Sequence, residues 1–305
     1  MAELEEDSNK LPREVFKRIR RLEIKTRKLV EAVFSGEYHS VFKGSGMEFS
    51  EVRQYHQGDD VRSIDWNVTA RSGKPFIKVF NEERELTVIM MVDASASGSF
   101  GTEGRFKVEA IAELCATLAF SAIRNGDKVG LLVFTDTVEL FIPPSKGRKH
   151  VLRIIREILF FKAQGKDTNI AGALERLSNT VKRKAIVFLI SDFVTEDSFK
   201  RSLSVASKRH DVIAVEVFDP AEKSLPDTGL VTLLDAETGE EILIDTSNPD
   251  FRRRFAKEIK TQELLLKRAF GQCGVDHILV PSNQSVADPL VKFFKKREKR
   301  LATGR

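Results

Sequence analysis

The sequence contains few of the residues that build cross-linked or metal–thiolate proteins. Only two cysteines, Cys115 and Cys273, occur in 305 residues, too few for a disulfide framework or a cysteine-rich zinc site. We expect both thiols to be reduced, as in a cytosolic protein. Tyrosine and tryptophan are also scarce, at two and one residues against 22 phenylalanines, which argues against a platform for stacking nucleic-acid bases.

Long hydrophobic runs are missing as well. The longest, such as 185–190, has the length of a strand, whereas a membrane-spanning helix needs about 20 apolar residues. Four of the first seven residues are acidic, whereas a signal peptide begins with basic residues and continues into an apolar run. We therefore expect no membrane segment and a cytoplasmic location.

Neither sign of charge dominates the composition. There are 50 Lys and Arg against 45 Asp and Glu, for a net charge of +5, which permits an anionic partner without requiring one. Basic residues concentrate in a predicted helix over 12–34 and in a predicted helix and tail over 292–305. The first of these has two interpretations: the solvated face of a docked amphipathic helix, or a surface for an anionic partner such as a nucleic acid.

Apolar runs alternate with helical patterns from residue 86 onward. The runs have no polar face, which is typical of strands covered on both sides. They predict an α/β domain with a mostly parallel open sheet and helices on both faces. Strands are predicted at 87–92, 128–134, 137–142 (an edge strand ending before Pro143), 185–190, 212–218 and 277–280, and helices at 107–124, 150–161, 170–182 and 198–210.

Two further regions complete the predicted organisation. A β-hairpin is expected at about 229–246, inserted into the α/β domain of 86–305. Residues 1–85 are predicted to be a helix and a charge-rich segment packed on that domain, with Trp66 buried. The closely spaced charges of this segment indicate a structural network or, alternatively, a partner surface; they are Asp59, Asp60, Arg62, Asp65 and Arg71.

Oxygen-bearing side chains follow two of the predicted strands. Asp93, Ser95 and Ser97 are spaced by two residues after strand 87–92, so an extended chain would direct them to one side. Thr168 precedes a predicted helix and Asp192 ends strand 185–190. Open α/β sheets bind ligands at the carboxyl edge of their strands.

All five of these side chains offer hard oxygens, which select Mg²⁺, Mn²⁺ or Ca²⁺ over zinc. The sequence therefore predicts a divalent metal site. The alternative is a helix-capping loop, because Asp and Ser are also good caps.

These motifs resemble known families. The pattern Asp93-x-Ser95-x-Ser97 followed by Thr168 and Asp192 is similar to the metal-ion-dependent adhesion site of von Willebrand factor type A (VWA) domains. The block that begins with Glu51-x-Arg53 and ends with Ala70-Arg71 resembles the family catalogued as domain of unknown function 58. Its most specific part is the run from Gly58 to Trp66, Gly-Asp-Asp-x-Arg-x-Ile-Asp-Trp. This second resemblance implies a MoxR-type AAA+ ATPase as partner, in chaperone-like or assembly work.

Three functions are compatible with the sequence. The first is a non-enzymatic, metal-dependent interaction module, in which an acidic residue of a protein partner completes the coordination of the ion. The second is a Mg²⁺-dependent phosphoryl hydrolase; no Gly-rich phosphate loop and no Ser/His/Asp arrangement supports it. The third is a basic nucleic-acid-binding protein, for which no recognised motif is present. We expect the first and therefore no catalytic residues.

Overall fold

The computed structural model describes residues 13–30, 41–42, 48–81, 85–95, 106–195, 198–234 and 241–303. These residues form two compact units, of which the smaller is Phe42–Leu86 and the larger is the remainder of the described chain. The predicted docking of residues 42–85 on the α/β domain stays a prediction, whereas residues 13–30 belong to the larger unit. Among the described residues, no helix is both long enough and apolar enough to span a bilayer.

Helices and strands alternate through most of the larger unit. In chain order the elements are α1 (Arg13–Leu29), β1 (Glu48–Gln54), α2 (Trp66–Ser72), β2 (Phe76–Asn81), β3 (Thr87–Asp93), α3 (Lys107–Arg124), β4 (Lys128–Phe134), β5 (Val138–Ser145), α4 (Arg148–Phe160), α5 (Ile170–Thr180), β6 (Ile186–Ser191), α6 (Lys200–Arg209), β7 (Asp211–Phe218), α7 (Pro220–Lys223), β8 (Leu230–Leu234), β9 (Glu241–Asp245), α8 (Pro249–Gln272), β10 (Asp276–Pro281) and α9 (Ala287–Ala302).

The larger unit is built on a six-stranded sheet of order β10-β7-β6-β3-β4-β5. All neighbouring strands are parallel except β4 and β5, which confirms the predicted α/β class. The edge strand β5 continues through Pro143 and Pro144, beyond the predicted end at Ile142. Proline is tolerated there because an edge strand needs no inter-strand hydrogen bond on its outer side.

Apolar side chains fill the space between the sheet and the helices. The residues Val88–Met91 of β3 are fully buried, as expected for a central strand with both faces covered. Ile89 and Met91 pack in one core with side chains of α5, α6 and α8, including Leu174, Leu203 and Phe270. The helices α3, α4 and α1 pack against one another.

The basic helix α1 is fastened to α3 and α4 by ion pairs. Lys25 Nζ lies 2.8 Å from Glu113 Oε2, and Arg148 Nη2 donates to Glu23 Oε2 at 3.0 Å. Glu23 is buried, and the Arg148 bond lowers its pKa against the opposing effect of burial. Part of the basic charge of α1 is therefore used in docking within this unit, whereas Arg20 and Arg21 are exposed.

Two of the longer helices differ from the sequence expectation. The helix α8 has no counterpart among the predicted elements, and Phe270 is its only buried residue. Its start is nevertheless well marked, with Asn248 capping backbone N–H groups and Pro249 in the first turn. The last helix, α9, begins at Ala287, five residues before the predicted position. The β8–β9 hairpin is antiparallel and lies where it was predicted.

The smaller unit holds an antiparallel pair, β1 and β2, and the short helix α2. Arg53 forms two hydrogen bonds of 2.8 Å with Asp59, and Asp65 caps α2. The expectation that Trp66 is buried is wrong, because this side chain is 70% exposed. It is the first residue of a two-turn helix that has no buried residue.

Candidate metal centre

Two neighbouring parallel strands end at the candidate site. Asp93 is the last residue of β3 and Ser191 the last of β6, and the preceding residues Val92 and Ile190 are paired in register. The chain leaves β3 toward β4 on one side, whereas β6 lies on the other side. Such a switch point opens a crevice at the carboxyl ends of the strands, where open α/β sheets bind ligands.

The Asp93 carboxylate is the centre of the site and is buried. Its Oδ1 accepts the backbone N–H of Ser95 at 2.9 Å. Its Oδ2 accepts the Ser191 hydroxyl at 2.6 Å and lies 3.3 Å from Thr168 Oγ1. Burial raises the pKa of Asp93 and the charge of Asp192 raises it further, so that despite the Ser191 and Ser95 bonds the pKa lies above its ordinary value.

Thr168 reaches Asp93 because its loop is anchored on both sides. The following residue, Asn169, donates its backbone N–H to the Thr135 carbonyl at 2.8 Å and caps α5 with its side chain. Earlier in the loop, Glu139 accepts the backbone N–H of Gly165 at 3.0 Å. A Cβ on Gly165 would lie 2.5 Å from Thr135 Oγ1, so this close approach requires glycine.

Both oxygens of Asp192 have partners. Oδ1 accepts the backbone N–H of Val194 at 3.2 Å, and Oδ2 accepts from Lys107 Nζ at 3.1 Å. The Lys107 ammonium also lies 2.5 Å from Glu222 Oε1, and its side chain is only 3% exposed. Burial alone would lower the pKa of Lys107, but Asp192 and Glu222 outweigh it and raise the pKa above its ordinary value.

Phe193, which follows Asp192, has an uncommon backbone conformation. Phe193 has φ 58°, which is disfavoured for a bulky side chain. Its backbone N–H donates to Ser191 Oγ at 2.9 Å, and its ring packs against Phe270 and Phe199 with centroid distances of 5.0 and 6.0 Å. This packing keeps Asp192 at the end of β6.

The structure brings together most of the predicted ligands. Asp93, Ser95 and Thr168 lie close together, and the charge of Asp192 acts on Asp93. Ser97 lies outside the described residues. Sequence reasoning missed Ser191, Lys107 and Glu222; Ser191 could have been suspected from its place at the strand end, but nothing in the sequence pairs Lys107 with Asp192.

The donor set fits a hard divalent cation. Among the described residues, no group of three or more His, Cys, Asp or Glu side chains is placed to hold a metal ion. The predicted set does not need one, because it combines two carboxylates with hydroxyl oxygens. Burial raises the pKa of Asp93, and a cation bound beside this carboxylate would favour its charged form.

Comparison with known proteins identifies the family. The family described as "Protein of unknown function DUF58" matches residues 51–264. The uncharacterized protein Rv1480 of Mycobacterium tuberculosis is 31% identical over 290 residues, which cover 94% of this chain and 90% of that protein. The uncharacterized protein YeaD of Bacillus subtilis is 24% identical over 148 residues, or 48% of this chain and 35% of its own length. The chain belongs to the DUF58 family, which confirms the predicted membership.

Solved structures with similarity to this chain include VWA domains. The SpRpn10 VWA domain has a TM-score of 0.40 at 8% identity, covering 69% of this chain and 95% of that one. BatB from Bacteroides thetaiotaomicron has a TM-score of 0.44 at 18% identity, covering 70% and 99%. PTMP1 from the mussel byssus, described with a zinc-occupied MIDAS motif, has a TM-score of 0.35 at 16% identity, covering 44% and 38%.

Proposed function

We propose that this protein is a non-enzymatic interaction module that binds a divalent cation and uses it to contact a protein partner. The observation that carries this proposal is the buried carboxylate of Asp93, which lies at the switch point of the sheet beside the hydroxyls of Thr168 and Ser191. Mg²⁺, Mn²⁺ or Ca²⁺ is the ion that these hard oxygens favour.

The proposed contact follows from the charge of the ligands. Mg²⁺ takes six oxygens in nearly octahedral geometry. Asp93 and Asp192 carry the negative charge, whereas Ser95, Ser97 and Thr168 would contribute neutral hydroxyls. A site of this composition leaves room in the coordination shell, and an Asp or Glu of a partner can fill it.

The partner would therefore present an acidic side chain at an exposed position. A MoxR-type AAA+ ATPase is the partner we propose, on the ground of the family resemblance alone. Exposed basic residues of α1, such as Arg20 and Arg21, would add an attraction to an acidic surface that weakens with salt.

Metal binding is the first step to test. Isothermal titration of the protein with Mg²⁺ and with Mn²⁺ should give saturable binding, and Asp93→Ala should abolish it. Asp288→Ala is the matched control, because Asp288 is an exposed carboxylate in the first turn of α9. Equal metal binding by wild type and Asp93→Ala would show that the metal binds at another site.

Partner binding is the second step. A purified MoxR-type ATPase should be retained on the immobilised protein with Mg²⁺, and lost with chelator or with Asp93→Ala. Retention that is equally strong in all three conditions would exclude a metal bridge. A phosphatase screen with Mg²⁺ or Mn²⁺ tests the enzymatic alternative, and turnover that depends on Asp93 would favour it.

A further inference from the structure

Beside the candidate metal site lies a buried ammonium group. The Lys107 side chain is 3% exposed and lies between Asp192 Oδ2 at 3.1 Å and Glu222 Oε1 at 2.5 Å. Residues 107 and 192 are 85 positions apart in the sequence. A buried ammonium is costly unless it is paired, so these two carboxylates account for its retention.

Local structure opposes a cation at this position. Lys107 is the first residue of α3, and the positive end of the helix dipole disfavours a cation there. The tertiary partners must therefore outweigh the local preference. Glu222 is itself fixed, because its Oε2 accepts the backbone N–H of Asp219 at 3.0 Å in the capping box of α7.

The two carboxylates of the site differ in their partners, because Lys107 pairs with only one of them. Its ammonium bonds to Asp192, whereas the three bonds of Asp93 described above come from Ser95, Ser191 and Thr168. Among the described residues, the cation that balances Asp192 is part of the chain, whereas the donors to Asp93 are neutral groups.

We propose that Lys107 is an internal cation that sets the affinity of this site for divalent ions. Its ammonium holds Asp192 in the metal-free protein, and an incoming divalent ion binds against its positive charge. Glu222 reduces this repulsion by sharing the ammonium. The inference rests on the proposed function, because it takes Asp93 and Asp192 to be the metal site.

Removal of the Lys107 ammonium and removal of the Glu222 charge should change the affinity for metal in opposite directions. Lys107→Met should tighten metal binding by about tenfold, because the variant lacks the positive charge that repels the incoming ion. Glu222→Gln should weaken metal binding by about threefold or more, since the full charge of Lys107 then faces the ion. Glutamine retains an acceptor oxygen for the cap of α7. A merely structural role of the triad would shift both variants in the same direction.

The experiment is a titration with Mn²⁺ followed by electron paramagnetic resonance, with Mg²⁺ calorimetry beside it. It uses the full chain as wild type, Lys107→Met, Lys107→Arg and Glu222→Gln. Lys200→Met is the matched control, because Lys200 is an exposed lysine at the first residue of another helix, α6. Lys107→Arg keeps the charge, and we expect this variant and the control to remain within about threefold of wild type, a difference of less than 1 kcal/mol.

Tighter binding by Lys107→Met, or binding by this variant alone, supports the inference. Unchanged or weaker binding by folded Lys107→Met overturns the inference and leaves the proposed function intact. Absence of Mn²⁺ binding from every variant overturns both. Circular dichroism establishes whether each variant folds; if Lys107→Met does not, tighter or unchanged binding by Glu222→Gln overturns the inference.

Discussion

The hydroxyl of Ser191 donates a hydrogen bond of 2.6 Å to Oδ2 of Asp93 and so joins the last residues of two neighbouring parallel strands. Ser191 Oγ also accepts the backbone N–H of Phe193 at 2.9 Å. A single hydroxyl therefore connects the central carboxylate of the candidate site with the backbone that follows Asp192.

Replacement of Ser191 tests this connection. Ser191→Ala leaves a buried N–H of Phe193 without its acceptor and removes one donor from Asp93, and it should lower the free energy of unfolding by about 1–3 kcal/mol. Chemical denaturation measures the change. Ser198→Ala, at an exposed serine, should stay within about 0.5 kcal/mol of wild type. Equal stability of the two variants would contradict the connecting role of Ser191.

Neutralisation of Asp93 should stabilise the metal-free protein. Burial and the charge of Asp192 disfavour the anionic form of Asp93 and raise its pKa. Asp93→Asn keeps the shape and removes the charge, so in chelator at pH 7 its Tm should exceed that of wild type by about 2–4 °C, which corresponds to roughly 1 kcal/mol for a domain of this size.

Added metal should reverse the order of the Tm values of wild type and Asp93→Asn. Mg²⁺ or Mn²⁺ stabilises the folded state that binds it, so the Tm of wild type should rise with the metal concentration whereas that of Asp93→Asn should not. A lower Tm of Asp93→Asn in chelator would show that the carboxylate is needed for folding irrespective of metal.

Gly165 should tolerate no side chain. In Gly165→Ala the new Cβ would lie 2.5 Å from Oγ1 of the buried Thr135 and closer still to Asp136 Oδ1. Asp136 is exposed and can rotate away, but Thr135 cannot, so we expect a loss of about 1–3 kcal/mol and weaker metal binding through displacement of Thr168. Gly271→Ala, where no atom lies within 4 Å of the added Cβ, should be neutral or slightly stabilising. Wild-type stability and metal affinity of Gly165→Ala would contradict the close approach.

Asp59 should titrate at unusually low pH. The hydrogen bonds from the Arg53 side chain and the His56 backbone lower its pKa to about 2. Because this pKa is depressed, the stabilisation from Asp59 is complete above the unfolded value of about 3.9 and is lost as the pH falls toward about 2.

Nuclear magnetic resonance of the Asp59 carboxyl carbon measures this midpoint. Arg53→Gln removes the ion pair with Asp59 and should return the midpoint toward about 3.9. A midpoint for Asp59 near its ordinary value in wild type would exclude the Arg53 ion pair.

The α/β class followed from local pattern. Strands such as β3 and β6 are apolar on both faces, and only a sheet covered by helices on both sides buries such residues. Side-chain chemistry likewise pointed to Asp93, Ser95 and Thr168, because carboxylates and hydroxyls after strands are recognisable without knowledge of the strand order. The helix α8 was not predicted, and Phe270 is its only buried residue.

By itself, the sequence determined the strands, the family block from Gly58 to Trp66 and the ligand types of the candidate metal site. The tertiary structure alone decided that β6 lies beside β3, which places Ser191 on Asp93. It also decided that Lys107 pairs with Asp192 and Glu222, across 85 residues in the first case. Such pairs depend on the order of the strands and on the packing of distant helix ends, and neither leaves a periodic signal in the sequence.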